Sequence, residues 1–425
     1  MARGGGKLLL VGVLIALLAG SAQGTTLDFR WEEGIPGISG LALSDDGSRV
    51  MVGTNTGQVR VYDPNGSVCM EVRVPGTAQV GILQNGSAYL VASQEDREKN
   101  KGTLRLFDAE GDAQWFWNSG WITSMDFCQG TDRIVTGDRA GNVVMLDGGG
   151  LEVRTWNDLP KTYIIADLAL SADGKYFAYA LEESNPQVKF VTVSSGSKKS
   201  FAKDFAYTGT YGYLEPIRQI ELSGDGAYIA TAGGEGSHGV LNFYARNGTR
   251  LWSKDLARIN DLALDGQGGC VFIAGGDGNV SCYNRSGDLE WAYQSGAPAG
   301  RLSYAPGAGV LAAGNDEGDL RVFDRNGTII WQHELDVFPT GAVTRMEFSS
   351  DGRALAVVAN DRVLEYFETV SEPVVAEEIS FPEVNATSPD NFTSVSMVNI
   401  TESNGEETFL GFFPFPWKIA FPKLW

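Results

Sequence analysis

The chain has 425 residues, 54 of them glycine, with 43% hydrophobic, 11% aromatic and only 20% charged residues. That profile excludes wholesale disorder and a collagen-like chain and points to many turns and short strands around a sizeable core. A formal net charge of −20, with no basic run longer than Lys198-Lys199, excludes nucleic acid as a partner. His238 and His333 stand far apart without cysteines or carboxylates at ligand spacing, so no metal centre or histidine-based triad is expected.

Residues 1–24 read as a secretory signal peptide. Arg3 and Lys7 precede an apolar run from Leu8 to Leu18, followed by the small-residue stretch Ser21-Ala22-Gln23-Gly24. Cleavage is expected near Gly24, leaving an exported, acidic chain. The run is short for a membrane span, although an uncleaved anchor is the alternative. Export permits disulfides, but Cys69, Cys128, Cys270 and Cys282 show no framework spacing. A hairpin centred on Asp277-Gly278 would set Cys282 opposite Ile273, so a direct Cys270–Cys282 bridge is not expected and buried free thiols are.

Residues 25–370 are built on one repeated sentence. It opens as Leu41-Ala42-Leu43-Ser44-Asp45-Asp46-Gly47 and returns at Leu168, Ile220 and Met346, with weaker copies at Val80, Met125, Leu262 and Leu302. A third line, Val59-Arg60-Val61-Tyr62-Asp63, returns as Leu104 to Asp108, Val143 to Asp147, Leu241 to Tyr244, Val280 to Tyr283 and Leu320 to Asp324. Period-2 alternation within each line predicts strands, and the Asp-Gly and Asn-Gly pairs between them predict hairpin turns. Eight units between Thr26 and Glu368 average about 43 residues, each with four strands, which is the period of a β-propeller.

On these residues the chain resembles the WD-repeat and PQQ-like repeat β-propellers over about four-fifths of its length. The Ser-x-Asp-Gly line is similar to the first family, although Tyr-Asp, Phe-Asp or Leu-Asp stands where Trp-Asp is usual. Tryptophans four residues past a turn glycine, Trp115, Trp252, Trp291 and Trp331, are similar to the second. That resemblance implies that they dock one blade on the next. The fold class is therefore all-β: a single propeller of eight four-stranded blades, with seven as the alternative because the fourth unit is weakest in its later lines. The eighth unit lacks a fourth strand, which Thr26 to Trp31 can supply, closing the ring from both termini.

In such a blade the first-to-second and third-to-fourth turns lie at one end, and the second-to-third turns and blade links at the other. The irregular insertions, residues 95–101, 182–186, 205–213 and 233–238, all fall at the second end, and the third holds Tyr207, Tyr211 and Tyr213. The residue before the first apolar position of each inner strand reads Gly40, Gln79, Ser124, Asp167, Gln219, Asp261, Arg301 and Arg345. These line the axial mouth, where Asp167 and Asp261 facing Arg301 and Arg345 make a two-signed funnel for a ligand or partner.

Sequons at Asn65, Asn85, Asn247, Asn284 and Asn326 fall in short turns of the opposite end, with Asn279 near a second-to-third turn. Others at Asn385, Asn391 and Asn399 lie in residues 371–409, an acidic stalk rich in Ser, Thr and Asn. Signal peptide and dense sequons together suggest an archaeal origin. Residues 410–425 carry Phe412, Phe413, Phe415, Trp417, Phe421 and Trp425 among three prolines, which forbid a regular helix. This segment is expected to anchor the chain to a partner or at the membrane interface, beside Lys418 and Lys423.

A quinoprotein of the PQQ-like kind would need adjacent cysteines and a calcium site that this sequence lacks, so no cofactor is expected. The expected function is a non-enzymatic binding or scaffold propeller of the cell envelope, with an envelope protein or glycan as partner. The alternative is a propeller enzyme, a quinoprotein-like dehydrogenase, hydrolase or lyase, using Asp167 and Asp261 at the mouth.

Overall fold

The inner-strand turns are set by three side chains of the repeated line. Ser44, Ser171, Ser223 and Ser349 are fully buried. Each donates its hydroxyl to the aspartate two residues on, at 2.7–2.8 Å. Each also accepts the backbone N–H five residues on, at 2.9–3.0 Å. The glycine that follows sits at φ 62–71° at Gly47, Gly174, Gly226 and Gly352, a conformation that a side chain would strain. The third-to-fourth turns use a carboxylate in the same way. Asp63 Oδ1 accepts the N–H groups of Asn65 and Ser67, both at 2.9 Å, and Asp324 Oδ1 those of Asn326 and Thr328 at 2.9 and 2.8 Å.

The structure is a computed structural model that describes residues 26–83, 86–128, 131–156, 164–182, 187–192, 197–200, 217–336, 341–369, 399–401 and 407–409. These residues form eight four-stranded antiparallel sheets. In chain order, blades 1 to 7 span residues 38–73, 77–119, 122–156, 164–200, 217–257, 259–294 and 299–334. Blade 8 takes its first three strands from residues 343–369 and its outermost from Leu27–Gly34, which pairs antiparallel with Val363–Thr369. The fourth unit, weakest in sequence, forms its own sheet, from Ile164–Leu170 to Ser197–Ser200. Consecutive inner strands meet around most of the ring, that of blade 3 meeting the second strand of blade 2, and Ile38–Leu43 of blade 1 packs on Val343–Phe348 of blade 8. No described helix is long and apolar enough to cross a membrane.

Neither face of a blade is covered until the next blade packs on it, so the core lies between blades. One such layer joins Met51, Val59 and Val61 of blade 1 to Ile82, Tyr89 and Val91 of blade 2. Tryptophans lock the outer strands across these gaps. The indole N–H of Trp31, Trp115, Trp252 and Trp291 reaches a carbonyl in the outer turn of the following blade, at Pro64, Gly148, Arg285 and Arg325, over 2.9–3.1 Å. Trp331 donates to Leu27 of the closing strand at 2.7 Å. The turn glycine of the receiving blade lies against the indole, so that a Cβ at Gly150 or Gly327 would fall 2.5 or 2.6 Å from ring atoms. Blade 1 uses Met70 instead, packed against Gly111.

The cysteine expectation is corrected. The turn after Cys270–Gly275 closes from Gly278 N–H to Gly275 carbonyl, which moves the register by one residue and sets Cys282 opposite Phe272. Cys270 and Cys282 then share one face of the sheet on a diagonal, with Cα atoms 5.9 Å apart, and are joined as a disulfide. Of the other two, Cys128 is buried but Cys69 is exposed. The bridge spans a sequence separation of 12. Loop entropy for a ring of that size is worth about 3 kcal/mol, so reduction should lower the denaturant midpoint of the propeller without changing its far-UV spectrum.

Residues 371–425 form a separate unit. Within it, Asn399–Thr401 pairs antiparallel with Glu407–Phe409. The tail aromatics Phe412, Phe413, Phe415, Trp417, Phe421 and Trp425 lie outside the described residues, as do Asn385 and Asn391.

Candidate functional site at the channel mouth

Inner strands of neighbouring blades do not pair with each other, so their inward edges leave backbone groups that side chains must satisfy. Carboxylates supply the acceptors. Asp126 Oδ2 accepts Leu170 N–H at 2.7 Å, Asp167 Oδ2 accepts Ile220 N–H at 3.0 Å, and Asp261 Oδ2 accepts Leu302 N–H at 2.9 Å. Ser303 Oγ plays the same part for Phe348 N–H at 2.8 Å. Donors run the other way, from Thr123 to Ile165 carbonyl at 2.6 Å, Asn260 to Ala299 at 2.8 Å and Arg301 Nε to Thr344 at 2.7 Å. The second oxygens are also engaged: Asp167 Oδ1 by the Ser124 hydroxyl at 2.9 Å, Asp261 Oδ1 by Gln219 Nε2 at 2.7 Å. Asp167 and Asp261 are therefore clamps between blades rather than open acids of a funnel.

Glu221 and Glu347, two channel residues that sequence reasoning passed over, behave differently. They occupy the inner-strand position that reads Ala42, Gly81, Ala169 and Ala263 in other blades, and that contrast was the available signal. Neither has a hydrogen-bond or ion-pair partner among the described residues. Both are half-buried by exposed area, because the channel admits water, yet the ring surrounds them on every side. Desolvation is the main cause that pushes Glu347 up to about 8 and Glu221 well above the usual carboxylate range, with repulsion from Asp126 adding to both. Desolvation likewise carries Asp126 and Asp167 to about 6 against the hydrogen bonds that favour their ionised forms.

Above this acidic throat arginines join the acids. A cavity of about 1150 Å³ opens among blades 5 to 8 at the end that carries the blade links. Arg218, Arg258, Arg301 and Arg345 line it, interleaved with Asp277, Asp316 and Asp361. Arg345 is ion-paired to Asp361. Arg218 Nε donates to Gly234 carbonyl at 3.3 Å. A second cavity of about 400 Å³ shares Arg301, Thr344 and Arg345 with the first and continues to Gly40, Gln79, Asp261 and Glu347. Of the predicted mouth residues, the structure thus brings Gln219, Arg301 and Arg345 to the main cavity and Gly40, Gln79 and Asp261 to the smaller one. Tyr207, Tyr211 and Tyr213 lie outside the described residues. Arg218 and Arg258 were missed, since their convergence depends on blade packing.

At the opposite end Asn65, Asn247 and Asn326 are exposed in outer turns, while Asn85 lies outside the described residues. Asn284 Oδ1 accepts the N–H groups of Ser286 and Asp288 at 2.9 Å, the task of aspartate in sister turns. Asn279 instead bonds Asp277 at 2.8 Å, beside the mouth. Among the described residues the one group at metal-ligand spacing is Cys270, Cys282 and Glu290, whose sulfurs are the disulfide.

Serine-aspartate turns on the inner strands, tryptophan docks on the outer ones and a ring closed by the N-terminal strand define a β-propeller fold, similar to the WD-repeat and PQQ-like repeat propellers. The family model PQQ_2, described as outer membrane protein assembly factor BamB, matches residues 214–398. Similar solved structures include the C-terminal WD40 domain of Sif2, at 13% identity and TM-score 0.63, covering 81% of this chain and 99% of that one. BamB from Moraxella catarrhalis aligns at 16% identity and TM-score 0.58 over 80% of this chain and 99% of its own. The computationally designed Ika8 protein aligns at 15% identity and TM-score 0.61 over 81% and 99%. At these identities the likeness is one of fold. No curated protein matches the sequence.

Proposed function

We propose that this propeller is a non-enzymatic scaffold of the cell envelope, exported by residues 1–24, that holds a partner at the channel mouth of blades 5 to 8. The observation that carries the reading is the cavity of about 1150 Å³, built from links and turns of four blades on a rigid ring. The acids that an axial-site enzyme would use, Asp167 and Asp261, have both oxygens committed to hydrogen bonds, which favours binding over catalysis. The match to an outer membrane assembly factor supports a protein partner in the envelope over a glycan. In this reading the aromatic segment 410–425 tethers the chain to the envelope, and sequons at the outer turns keep the opposite end covered with glycans.

Cross-linking and affinity purification of the native protein from envelope fractions should recover a discrete partner whose cross-links map to residues 233–238, 257–260 and 342–345. Recovery of monomer alone, or of cross-links confined to the outer-turn end, would overturn the reading.

A further inference from the structure

We propose that the channel mouth is an anion site that takes the carboxylates of an acidic protein segment; this rests on the scaffold reading above and names the chemistry of its partner. The chain carries a net charge of −20, yet four of its arginines converge on one cavity. Set against three aspartates, these four arginines leave the lining one positive charge in excess, a local contrast to the negative chain that favours anions at the arginines themselves. Among the described residues only Arg345 of the four is ion-paired, to Asp361, while the charge of Arg301 acts on Asp261 without a direct pair. Arg301 commits Nε to the Thr344 carbonyl and Arg218 commits Nε to the Gly234 carbonyl, and among the described residues the terminal amino groups of both forks have no hydrogen-bond partner. Arg258, on the link between blades 5 and 6, is exposed and makes no described side-chain hydrogen bond or ion pair. Planar forks with open paired donors match carboxylates two bonds at a time.

The walls suit an approaching main chain. Gly234, Gly236, Gly276 and Gly300 line the cavity, and a Cβ at Gly236 would meet nothing within 4 Å. Peptide backbone is therefore uncovered at Gly236, which is exposed, and an incoming segment can lie close to it there. Charge spacing argues for separate carboxylates rather than a continuous polyanion. Asp277, Asp316 and Asp361 alternate with the arginines, and Asp261 and Glu347 wait below. A uniformly charged anionic glycan would run into these acids, whereas a protein segment can set its carboxylates on the arginines and neutral residues between them. No Phe, Tyr or Trp is among the described lining residues, where the His238 imidazole is the one ring, so no broad aromatic platform is there to stack on a sugar face.

The test uses the full chain and fluorescence anisotropy with three probes: a labelled peptide of alternating glutamate and glycine, its glutamine counterpart, and polygalacturonate as an anionic glycan. The glutamate peptide should bind, weaken as salt rises, and lose about tenfold or more in affinity in the double variant Arg218→Ala/Arg258→Ala. The control Arg353→Ala, in an inner-strand turn at the other end, should bind as the parent does, and thermal melts should show all variants folded. The proposal is overturned if the glutamine peptide binds equally, if the double variant binds unchanged, or if polygalacturonate displaces the peptide and depends more strongly on the same arginines. A partner recovered equally well by the parent and the double variant would leave the scaffold standing and remove the anion chemistry. Arginine-dependent peptide binding with no partner recovered would do the reverse.

Discussion

Deletion of residues 26–34 should abolish the cooperative thermal unfolding of the ring. The strand Leu27–Gly34 completes blade 8 and, through it, two interfaces. On one side Leu27 carbonyl receives the Trp331 indole at 2.7 Å, and Phe29 packs edge-on against Phe367 at 5.9 Å. On the other, Trp31 stacks on Tyr366 at 5.4 Å, tilts over Tyr62 at 5.3 Å and bonds the Pro64 carbonyl at 3.1 Å. Loss of a core aromatic costs about 3–5 kcal/mol, and Trp31, partly buried against the core, should cost somewhat less, so Trp31→Ala should already lower the midpoint. Loss of the whole strand also leaves Val363–Thr369 as a bare edge and opens the gap to blade 1, which together should exceed the ~5–15 kcal/mol that holds a typical domain folded. Circular dichroism melts of the full chain, the truncation and Trp31→Ala make the comparison. A truncated chain that melts with the parent's midpoint and steepness would mean that the ring is not closed by this strand.

Rising pH should weaken the ring between about pH 5 and pH 8. Glu347 titrates at about 8, Asp126 and Asp167 at about 6, and Glu365 at about 7, all above their ordinary values, and desolvation is the leading cause in each. A carboxyl whose folded pKa lies above its unfolded one keeps its proton longer in the native state. The folded chain then binds more protons than the unfolded chain across that interval, and stability falls with pH until the folded pKa is passed. Full protonation benefit is present at mildly acidic pH and lost by about pH 8. Glu347→Gln removes one of the most strongly raised carboxyls, since the amide stays neutral. The gain at pH 8 should be on the order of 2–4 kcal/mol, less than the full shift implies because channel water reaches the group, and close to zero near pH 4. Chemical denaturation of both proteins across this range measures it. A parent midpoint that is flat or rises from pH 5 to pH 8, or a variant that tracks the parent at every pH, would contradict the burial of charge in the throat.

What could be read from the sequence is what short-range bonding and periodicity decide. Each Ser-x-Asp-Gly turn closes through hydrogen bonds spanning two to five residues, so its signature is complete within one line of the repeat. Alternation placed the four strands of each unit, and the spacing from turn glycine to tryptophan foretold docks whose atoms lie 33 or 34 residues apart but recur in several blades. The vacant fourth strand of the last unit pointed to closure by the first. Tertiary structure decided everything that depends on which group faces which across a gap. A turn one residue different from the expected one put Cys270 and Cys282 on a shared diagonal and joined them. Asp167 and Asp261 met backbone N–H groups 53 and 41 residues away, which turned expected site acids into clamps. Arg218, Arg258, Arg301 and Arg345 sit in three blades and one link, with nothing local to relate them. Only the ring's curvature brings them to one cavity, because a blade's neighbours in space are set by packing of its buried faces rather than by the order of residues along the chain.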